Sequence, residues 1–132
     1  MRPTLSLVIP IFNEEETIPE LHTRLSAFLA ELNVTWEVVF VDDGSKDASL
    51  SLLKQIATAE TRYRVVSFAR NFGHQIAITA GVDYAEGRAV VVMDADLQDP
   101  PEVVREMLAK YEQGYDVVYG VRSRRLGETI FK

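Results

Sequence analysis

The sequence of 132 residues contains no cysteine. A chain without cysteine has neither a disulfide framework nor a metal site built from thiolates. It also contains no apolar run close to the roughly 18 residues that a membrane-spanning helix needs. The strand-like segment 5–11 near the N-terminus is too short, and too soon followed by acids, to be a signal peptide. These absences lead us to expect a cytoplasmic protein.

Positive charge is in deficit, because 14 Lys and Arg residues face 20 Asp and Glu residues, for a net charge of −6 at pH 7. Nucleic-acid-binding domains carry an excess of positive charge, so we expect no nucleic-acid partner. Hydrophobic residues make up 47% and charged residues 26%, which is close to an average globular protein. The length suits one domain, residues 1–132, with its own hydrophobic core.

The two common glycine-rich phosphate loops are missing as well. The sequence contains no G-x-x-x-x-G-K-[ST] motif and no G-x-G-x-x-G motif. This argues against a P-loop NTPase and against a dinucleotide-binding Rossmann enzyme.

Short β-rich apolar runs alternate with segments whose apolar residues recur at helical spacing. The predicted strands are 5–11, 36–41, 64–68, 89–93 and 116–119. The predicted helices carry apolar residues from Ile18 to Leu32, Leu50 to Ala57, Ile76 to Val82 and Val103 to Tyr111. The expected cap of the second helix is Ser45 or Asp47, and the fourth helix is opened by Pro100 and Pro101. This alternation predicts an α/β fold with a mostly parallel sheet and helices on both faces.

Polar and charged residues directly follow each predicted strand. They are Asn13, Glu14 and Glu15; Asp42, Asp43, Gly44 and Ser45; Arg70, Asn71 and Gly73; Asp94, Asp96, Gln98 and Asp99; and Arg122, Arg124 and Arg125. Ligands of open parallel sheets bind at the carboxyl ends of the strands, so these clusters are expected on one rim. Each cluster also has a structural interpretation as turn, helix-cap or solvated residues, and we interpret His74 as a solvated or hydrogen-bonded loop residue.

The pair Asp94 and Asp96 is the strongest indication of chemistry. A buried strand delivers two carboxylates with only Ala95 between them, and their repulsion costs stability unless a cation or proton offsets it. Such ligands suit Mg²⁺ or Mn²⁺, which bind one or two carboxylates together with substrate phosphates, and Gln98 could add a neutral oxygen. Acids for a metal, an acidic turn for a base or ribose, and arginines for phosphate together predict a nucleoside-diphosphate site.

Four segments, LSLVIPIFNEEETI, VVFVDDGSKDAS, FARNFGHQIAITAGVDYAEG and VVVMDADLQDPPE, resemble the family 2 inverting glycosyltransferases. More narrowly, they resemble the polyprenyl-phosphate group, which contains dolichol-phosphate mannose synthase and the bactoprenol glucosyltransferases. The resemblance covers nearly the whole chain and rests on the ordered set of four motifs. It implies a Rossmann-like fold of the GT-A glycosyltransferase type.

The resemblance also implies roles for individual residues. The implied nucleotide-binding residues are Pro10, Asn13, Glu14, Asp42, Asp43 and Asp94, with Asp42 on the nucleobase. The implied ligands of a divalent metal, Mg²⁺ or Mn²⁺, are Asp96 and Gln98. The residues that would organise the donor side of the cleft are Arg70 and Asn71. The implied catalytic residues are Asp94, Asp96 and Arg122, of which the arginine would neutralise phosphate.

By the same resemblance, the chain is expected to move a hexose from a nucleotide sugar to a polyprenyl phosphate. A UDP-sugar is favoured, and GDP-mannose is the second choice. The alternatives are a glycosyltransferase that acts on a sugar hydroxyl, a nucleotidyltransferase and a non-catalytic nucleotide-sugar binder. A phospho-receiver domain has a similar layout. However, its acid pair follows the first strand, where this chain has Pro10 to Asn13, and Arg122 stands in place of its lysine.

Members of this group continue with an interfacial helix and often with transmembrane helices. Leu126, Ile130 and Phe131 lie at helical spacing among four cations, as in the first turns of an interfacial helix. We therefore expect a catalytic domain truncated at the C-terminus, whose full-length form associates with the cytoplasmic face of a membrane. The chain alone is expected to bind a nucleotide sugar and to transfer little sugar.

Overall fold

The computed structural model describes residues 2–96 and 103–112 of the chain. Its elements are β1 (Leu5–Ile11), α1 (Ile18–Ala30), β2 (Trp36–Asp42), α2 (Ser49–Ala59), β3 (Tyr63–Ser67), α3 (His74–Tyr84), β4 (Ala89–Val92) and α4 (Val103–Glu112). The four strands form one parallel sheet in the order β3-β2-β1-β4. The predicted α/β alternation is confirmed for these elements, and the predicted strand 116–119 lies outside the described residues.

The two central strands, β1 and β2, consist almost wholly of buried apolar residues. They run side by side from the pair Leu5 and Trp36 to the pair Ile11 and Asp42. Every residue of both strands is buried, because helices cover the two faces of the sheet and further strands flank this pair. Burial on both faces explains why their sequences are continuous apolar runs and lack the alternation of a half-exposed strand.

Helices α1, α2 and α4 pack on one face of the sheet, and α3 packs on the other. The larger core joins β1 and β2 to apolar residues of three helices, among them Leu25, Leu53 and Met107. The smaller core joins Val8, Val39 and Val41 to Ala77 of α3. Helices therefore cover both faces, as predicted. Within the described part of the chain, none of the helices has the length and apolar composition needed to cross a bilayer.

Helix α3 contacts the sheet through small residues. Its apolar pattern includes Ile76 and Val82, but both are exposed, at 51% and 41%. The buried residues are Ala77 and Gly81. At Gly81 even a Cβ atom would overlap valine side chains of β1 and β2. The observed face differs from the apolar pattern because the helix approaches the sheet where a side chain is missing.

We expect Gly81→Ala to destabilise the protein by about 1–3 kcal/mol, since the added methyl group must displace packed valines. At an exposed helix position, Gly→Ala raises the unfolding free energy by about 1 kcal/mol. A decrease at position 81 therefore indicates the close contact with the sheet. Urea unfolding followed by circular dichroism measures it. Gln75→Ala, at an exposed position of α3, is the control and should have an effect below about 0.5 kcal/mol. A gain in stability for Gly81→Ala would contradict the close packing.

A buried ionic network lies at the amino-terminal ends of the strands. Glu37 of β2 is 5% exposed and accepts hydrogen bonds from the Ser6 hydroxyl at 2.5 Å and the Arg64 guanidinium at 2.6 Å. It also accepts one from the Glu86 amide at 2.6 Å, and the Gly87 amide donates to Ser6 Oγ at 2.8 Å. The network ties β1, β2 and β3 to the segment that connects α3 with β4.

The same contacts determine the charge state of Glu37. Burial raises the pKa of its carboxyl group, but the hydrogen bonds from Glu86, Ser6 and Arg64 outweigh this effect. They hold the pKa below its ordinary value of 4.5. The stability contributed by this carboxylate is therefore fully present above pH 4.5 and is lost as the pH falls through the lowered pKa of the folded state.

We expect Glu37→Gln to cost about 3 kcal/mol near neutral pH, because the partly buried Arg64 then loses its buried carboxylate partner and keeps only the exposed Glu86 at 3.4 Å. The difference in unfolding free energy between wild type and variant should shrink as the pH is lowered from about 7 to about 3.5. Urea unfolding across this range measures it. Glu20→Gln, at an exposed position of α1, is the control. A difference that stays constant with pH would show that the Glu37 charge is not what stabilises the fold.

Candidate functional site

The strand order reverses between β1 and β4. The chain passes from β1 through β2 to β3 on one side, and then crosses the sheet with α3 to place β4 on the other side of β1. In open α/β sheets, ligands bind outside the carboxyl ends of the strands at such a point. A cleft of about 330 Å³ lies there.

The cleft gathers residues from four separate loops. Its lining consists of Pro10, Ile11, Phe12, Glu14, Asp43, Asn71, Gly73, His74, Asp94, Ala95 and Asp96. The predicted site residues that share this lining are Pro10, Glu14, Asp43, Asn71, Asp94 and Asp96. Those that lie outside the lining are Asn13, Asp42 and Arg70. Gln98 and Arg122 fall outside the described residues, and the ligand contacts of the whole set stay predictions.

A clamp of hydrogen bonds joins the loop after β1 to the loop after β2. The Asn13 amide donates to Ser45 Oγ at 2.8 Å, and the Lys46 amide donates to Asn13 Oδ1 at 2.9 Å. The Glu14 amide donates to Ser49 Oγ at 2.8 Å. Asn13 adopts a φ of +53°, a conformation that asparagine tolerates better than most residues. The clamp thus fixes the backbone at Glu14, which lines the cleft.

The clamp continues through Glu15 and Asp47. The Glu15 amide donates to Asp47 Oδ2 at 3.2 Å, the Ala48 amide to Glu15 Oε1 at 2.7 Å, and the Ser49 amide to Asp47 Oδ1 at 2.9 Å. Burial raises the pKa of Asp47, but the hydrogen bonds from Ser49 and Glu15 outweigh it and lower the pKa below its ordinary 3.8. The N-cap of α2 is Ala48, which corrects the predicted cap. The Ser45 side chain binds the loop after β1, and Asp47 lies one residue before the cap, from where it binds both that loop and the Ser49 amide.

The buried carboxylate of Asp43 holds the loop after β3. It accepts hydrogen bonds from the Phe72 amide at 2.7 Å, the Gly73 amide at 3.1 Å and the Asn71 side chain at 3.0 Å. The Asn71 side chain also donates to the Asp43 carbonyl oxygen at 3.1 Å. Three donors of the loop after β3 thus bind Asp43 in the loop after β2. These contacts place the first turn of α3 at the cleft.

Gly44 brings these two loops into backbone contact. Its φ is +73°, in the left-handed region, and a Cβ atom there would overlap the backbone of Arg70 and Asn71. The glycine of the Asp-Asp-Gly-Ser turn is therefore required by its conformation and by the lack of space. Arg70 itself is exposed, and its guanidinium carbon lies 4.0 Å from the centroid of the Phe72 ring.

Asp42 ends β2 with a buried carboxylate that is only half satisfied. The residue is 1% exposed, and its Oδ2 accepts a hydrogen bond from the Ser45 amide at 3.3 Å. Its Oδ1 is buried and has no hydrogen-bond partner among the described residues. Leaving a buried polar atom unpaired costs roughly 1–3 kcal/mol, so a position that retains one is suited to an incoming N–H donor.

The end of β4 delivers Asp94 and Asp96 to the cleft on either side of the buried Ala95. Within residues 2–96 and 103–112, no group of three or more His, Cys, Asp or Glu side chains could hold a metal ion by itself. Mg²⁺ and Mn²⁺ commonly bind one or two carboxylates and complete their shell with substrate phosphates and water. The two carboxylates therefore fit a metal that binds together with a phosphate ligand.

His74 is a cleft residue that sequence analysis missed. The interpretation as a loop residue is corrected, since His74 is the first residue of α3 and its Nε2 lies 3.7 Å from Asp94 Oδ1. Ile11, Phe12 and Ala95 also line the cleft without having been predicted, whereas Gly73 lies on the rim as expected. The usable signal is position: a helix that follows a strand of a parallel sheet starts on the ligand side.

The sequence matches glycosyl transferase family 2 over residues 6–132. The uncharacterized glycosyltransferase YkcC of Bacillus subtilis strain 168 is 52% identical over 127 residues, which cover 96% of this chain and 39% of that protein. The undecaprenyl-phosphate 4-deoxy-4-formamido-L-arabinose transferase of Pseudomonas fluorescens is 43% identical over 130 residues, with coverages of 95% and 38%. The bactoprenol glucosyl transferase of Shigella phage SfV is 43% identical over 121 residues, with coverages of 92% and 39%. The chain thus spans about two-fifths of the length of these relatives.

Solved glycosyltransferase structures share this fold. The mannosyltransferase PcManGT from Pyrobaculum calidifontis, in complex with GDP-Man and Mn²⁺, has a TM-score of 0.61 at 27% identity, covering 73% of this chain and 28% of that one. Staphylococcus aureus TarS 1–349, in complex with UDP-GlcNAc, has a TM-score of 0.65 at 26% identity, covering 83% and 31%. The predicted α/β fold of the GT-A type is confirmed.

We expect Asp43→Asn to loosen the loop after β3, because an amide presents an N–H₂ group to donors that now meet a carboxylate oxygen. The loss of hydrogen bonds to a charged acceptor should cost about 1.5–3 kcal/mol of unfolding free energy. Amide hydrogen exchange localises the effect, and Phe72 and Gly73 should exchange faster. Asp83→Asn, at an exposed position of α3, is the matched control. Wild-type protection of both amides in Asp43→Asn would show that this carboxylate does not hold the loop.

Proposed function

The chain belongs to glycosyl transferase family 2, and from this we propose that residues 1–132 form the nucleotide-sugar site of an enzyme that moves a hexose to a polyprenyl phosphate. Two relatives that are 43% identical are named as undecaprenyl-phosphate and bactoprenol sugar transferases. Because the chain spans about two-fifths of their length, the acceptor and the complete reaction belong to the proposal. The proposed location is the cytoplasmic face of a membrane.

The convergence of carboxylates in one cleft, at the carboxyl ends of the strands, carries this proposal. Glu14, Asp94 and Asp96 line the cleft together with Asp43, whose own carboxylate is engaged by the loop after β3. A diphosphate is repelled by such a lining unless a cation accompanies it. The site therefore favours a nucleoside diphosphate that binds together with a divalent metal ion.

We infer that Asp96, with Asp94 beside it, holds Mg²⁺ or Mn²⁺. The support is the pairing of two carboxylates in a cleft large enough for phosphates, and a neighbour at 27% identity was solved with GDP-Man and Mn²⁺. A divalent ion bound there would stabilise the charge of the departing nucleoside diphosphate. Gln98 remains proposed as a further metal ligand and Arg122 as a phosphate partner.

Asp42 is proposed to bind the nucleobase. Its buried Oδ1 lacks a partner in the described part of the chain, and the imide N–H of uracil or guanine could supply one. Cytosine and adenine carry no such N–H. Since Asp42 lies outside the cleft lining, binding requires a small opening of the loop whose Ser45 amide contacts it. A UDP-sugar is our first choice of donor, and a GDP-sugar is the second.

A lipid phosphate suits this site as the acceptor. Its oxygen is already anionic at neutral pH, so it can attack the sugar carbon without a strong general base. Attack from the face opposite the diphosphate forms the new carbon–oxygen bond as the old one breaks, which inverts the sugar carbon. The nucleoside diphosphate leaves with the electron pair of the broken bond.

Calorimetry of the 132-residue chain with UDP, GDP, CDP and ADP, each in Mn²⁺ and in EDTA, tests the donor site. We expect UDP or GDP to bind most tightly, and only in Mn²⁺. Asp42→Asn should weaken that binding by about 1.5–3 kcal/mol, the value of a hydrogen bond to a charged group. The same variant should stay close to the wild type in stability, because the atom that changes has no internal partner to lose and the other oxygen still accepts the Ser45 amide.

Asp96→Ala, measured in the same experiment, should lose the Mn²⁺-dependent binding, whereas the exposed Asp83→Asn should retain it. Equal binding in Mn²⁺ and EDTA would contradict the metal site, and tightest binding of ADP would contradict the base site. Release of free nucleoside diphosphate from the nucleotide sugar when undecaprenyl phosphate is added distinguishes a transferase from a protein that only binds the donor.

A further inference from the structure

The cleft contains one basic side chain among its described lining residues, that of His74. Four of the lining residues are acids, namely Glu14, Asp43, Asp94 and Asp96. A nucleotide sugar brings a negative charge on each of its two phosphates, and these charges need hydrogen-bond donors as well as a metal ion. Asn71 is the one uncharged amide side chain in the described lining, and its N–H₂ group already donates to Asp43.

The backbone that leads to His74 is held in place. Asp43 accepts hydrogen bonds from the Phe72 and Gly73 amides, which immediately precede it. Helix α3 starts at His74, and the Ala77 amide donates to the Gly73 carbonyl oxygen at 3.0 Å. Gly73 has a φ of +111°, and among the described residues no atom outside its adjacent residues and the backbone of α3 lies within 4 Å of the place where its Cβ would be. A ligand can therefore approach this end of α3 without meeting a side chain at position 73.

The imidazole ring itself is accessible. It is 63% exposed, and its Nε2 lies 3.7 Å from Asp94 Oδ1. This distance exceeds the roughly 3.2 Å limit of a good N–H···O hydrogen bond, so the contact leaves the ring N–H available to a ligand. An imidazole has at least one N–H donor in either protonation state, and Asp94 attracts the ring toward the end of β4.

We propose that His74 donates a hydrogen bond to a diphosphate oxygen of the nucleotide sugar, while Asp94 keeps the ring turned toward the ligand. This inference rests on the proposed function and adds to it a phosphate contact from α3. The carboxylates of Asp94 and Asp96, which follow β4, cannot supply that contact, because an ionised carboxylate only accepts hydrogen bonds. A phosphate bound beside Asp96 would lie in the same cleft as His74, because both residues line it.

A comparison of UDP with uridine separates phosphate contacts from base and ribose contacts. Calorimetry in Mn²⁺ measures UDP, and NMR titration measures the weaker uridine. We expect His74→Ala to weaken UDP binding roughly ten- to hundredfold, as for loss of a charged hydrogen bond, and to leave uridine affinity within about threefold. His74→Lys, which keeps an N–H donor, should restore most of the UDP affinity. Gln75→Ala, at the next exposed position, is the matched control.

Unchanged UDP affinity in His74→Ala would overturn the inference, and so would an equal loss for UDP and uridine. Retained uridine binding shows that a variant is folded. If the wild-type chain prefers GDP, the comparison uses GDP and guanosine in place of UDP and uridine. Failure of the proposed function gives a different result, because the wild-type chain itself would then bind neither UDP nor GDP in a Mn²⁺-dependent manner.

Discussion

The carboxylate of Asp43 joins the loop after β2 to the loop after β3, and the shape of the cleft depends on this contact. The residue is 3% exposed, and its donors are two successive amides and one side chain of the neighbouring loop. The same contact places the start of α3, with His74, near the end of β4. Gly44 permits it, because a side chain at that position would separate the two backbones.

The three buried acids Glu37, Asp42 and Asp43 lie on β2 or directly after it. They differ in how many of their carboxylate oxygens accept hydrogen bonds from the protein. Glu37 and Asp43 each accept several hydrogen bonds from groups of the chain, so they hold its segments together. Asp42 has one buried oxygen without a partner in the described residues. An unpaired buried oxygen destabilises a fold, and the proposed nucleobase contact would supply the missing partner. Internal partners thus separate acids that support the fold from an acid suited to ligand binding.

Sequence reasoning predicted the elements well where one face or both faces bury apolar side chains. The observed bounds of β1 agree with the prediction and those of β2 extend it by Asp42, since a continuous apolar run leaves few alternatives. The presence of Asp94 and Asp96 in one cleft was also predictable, because they follow a strand directly. This prediction uses only neighbouring residues along the chain and does not depend on a tertiary contact.

The partners of single polar residues could not be predicted in this way. Asp42 and Asp43 are adjacent and chemically identical, yet the second is engaged by donors 28 to 30 residues away. Glu37 lies within an apolar run, and its partners Arg64 and Glu86 are 27 and 49 residues distant. Such pairings follow from three-dimensional packing, which a pattern of apolar residues along the chain does not specify.

The position of β4 has a consequence for how the protein is made. It is the last described strand in chain order, yet it pairs with the first, from Leu5 opposite Ala89 onward. Pairing such distant segments requires closing a long loop, which costs entropy and slows folding. During synthesis β1, β2 and β3 leave the ribosome first, and the growing chain lacks Asp94 and Asp96 until β4 follows. A ligand that needs those carboxylates binds only chains in which β4 has joined the sheet, so it shifts the folding equilibrium toward them.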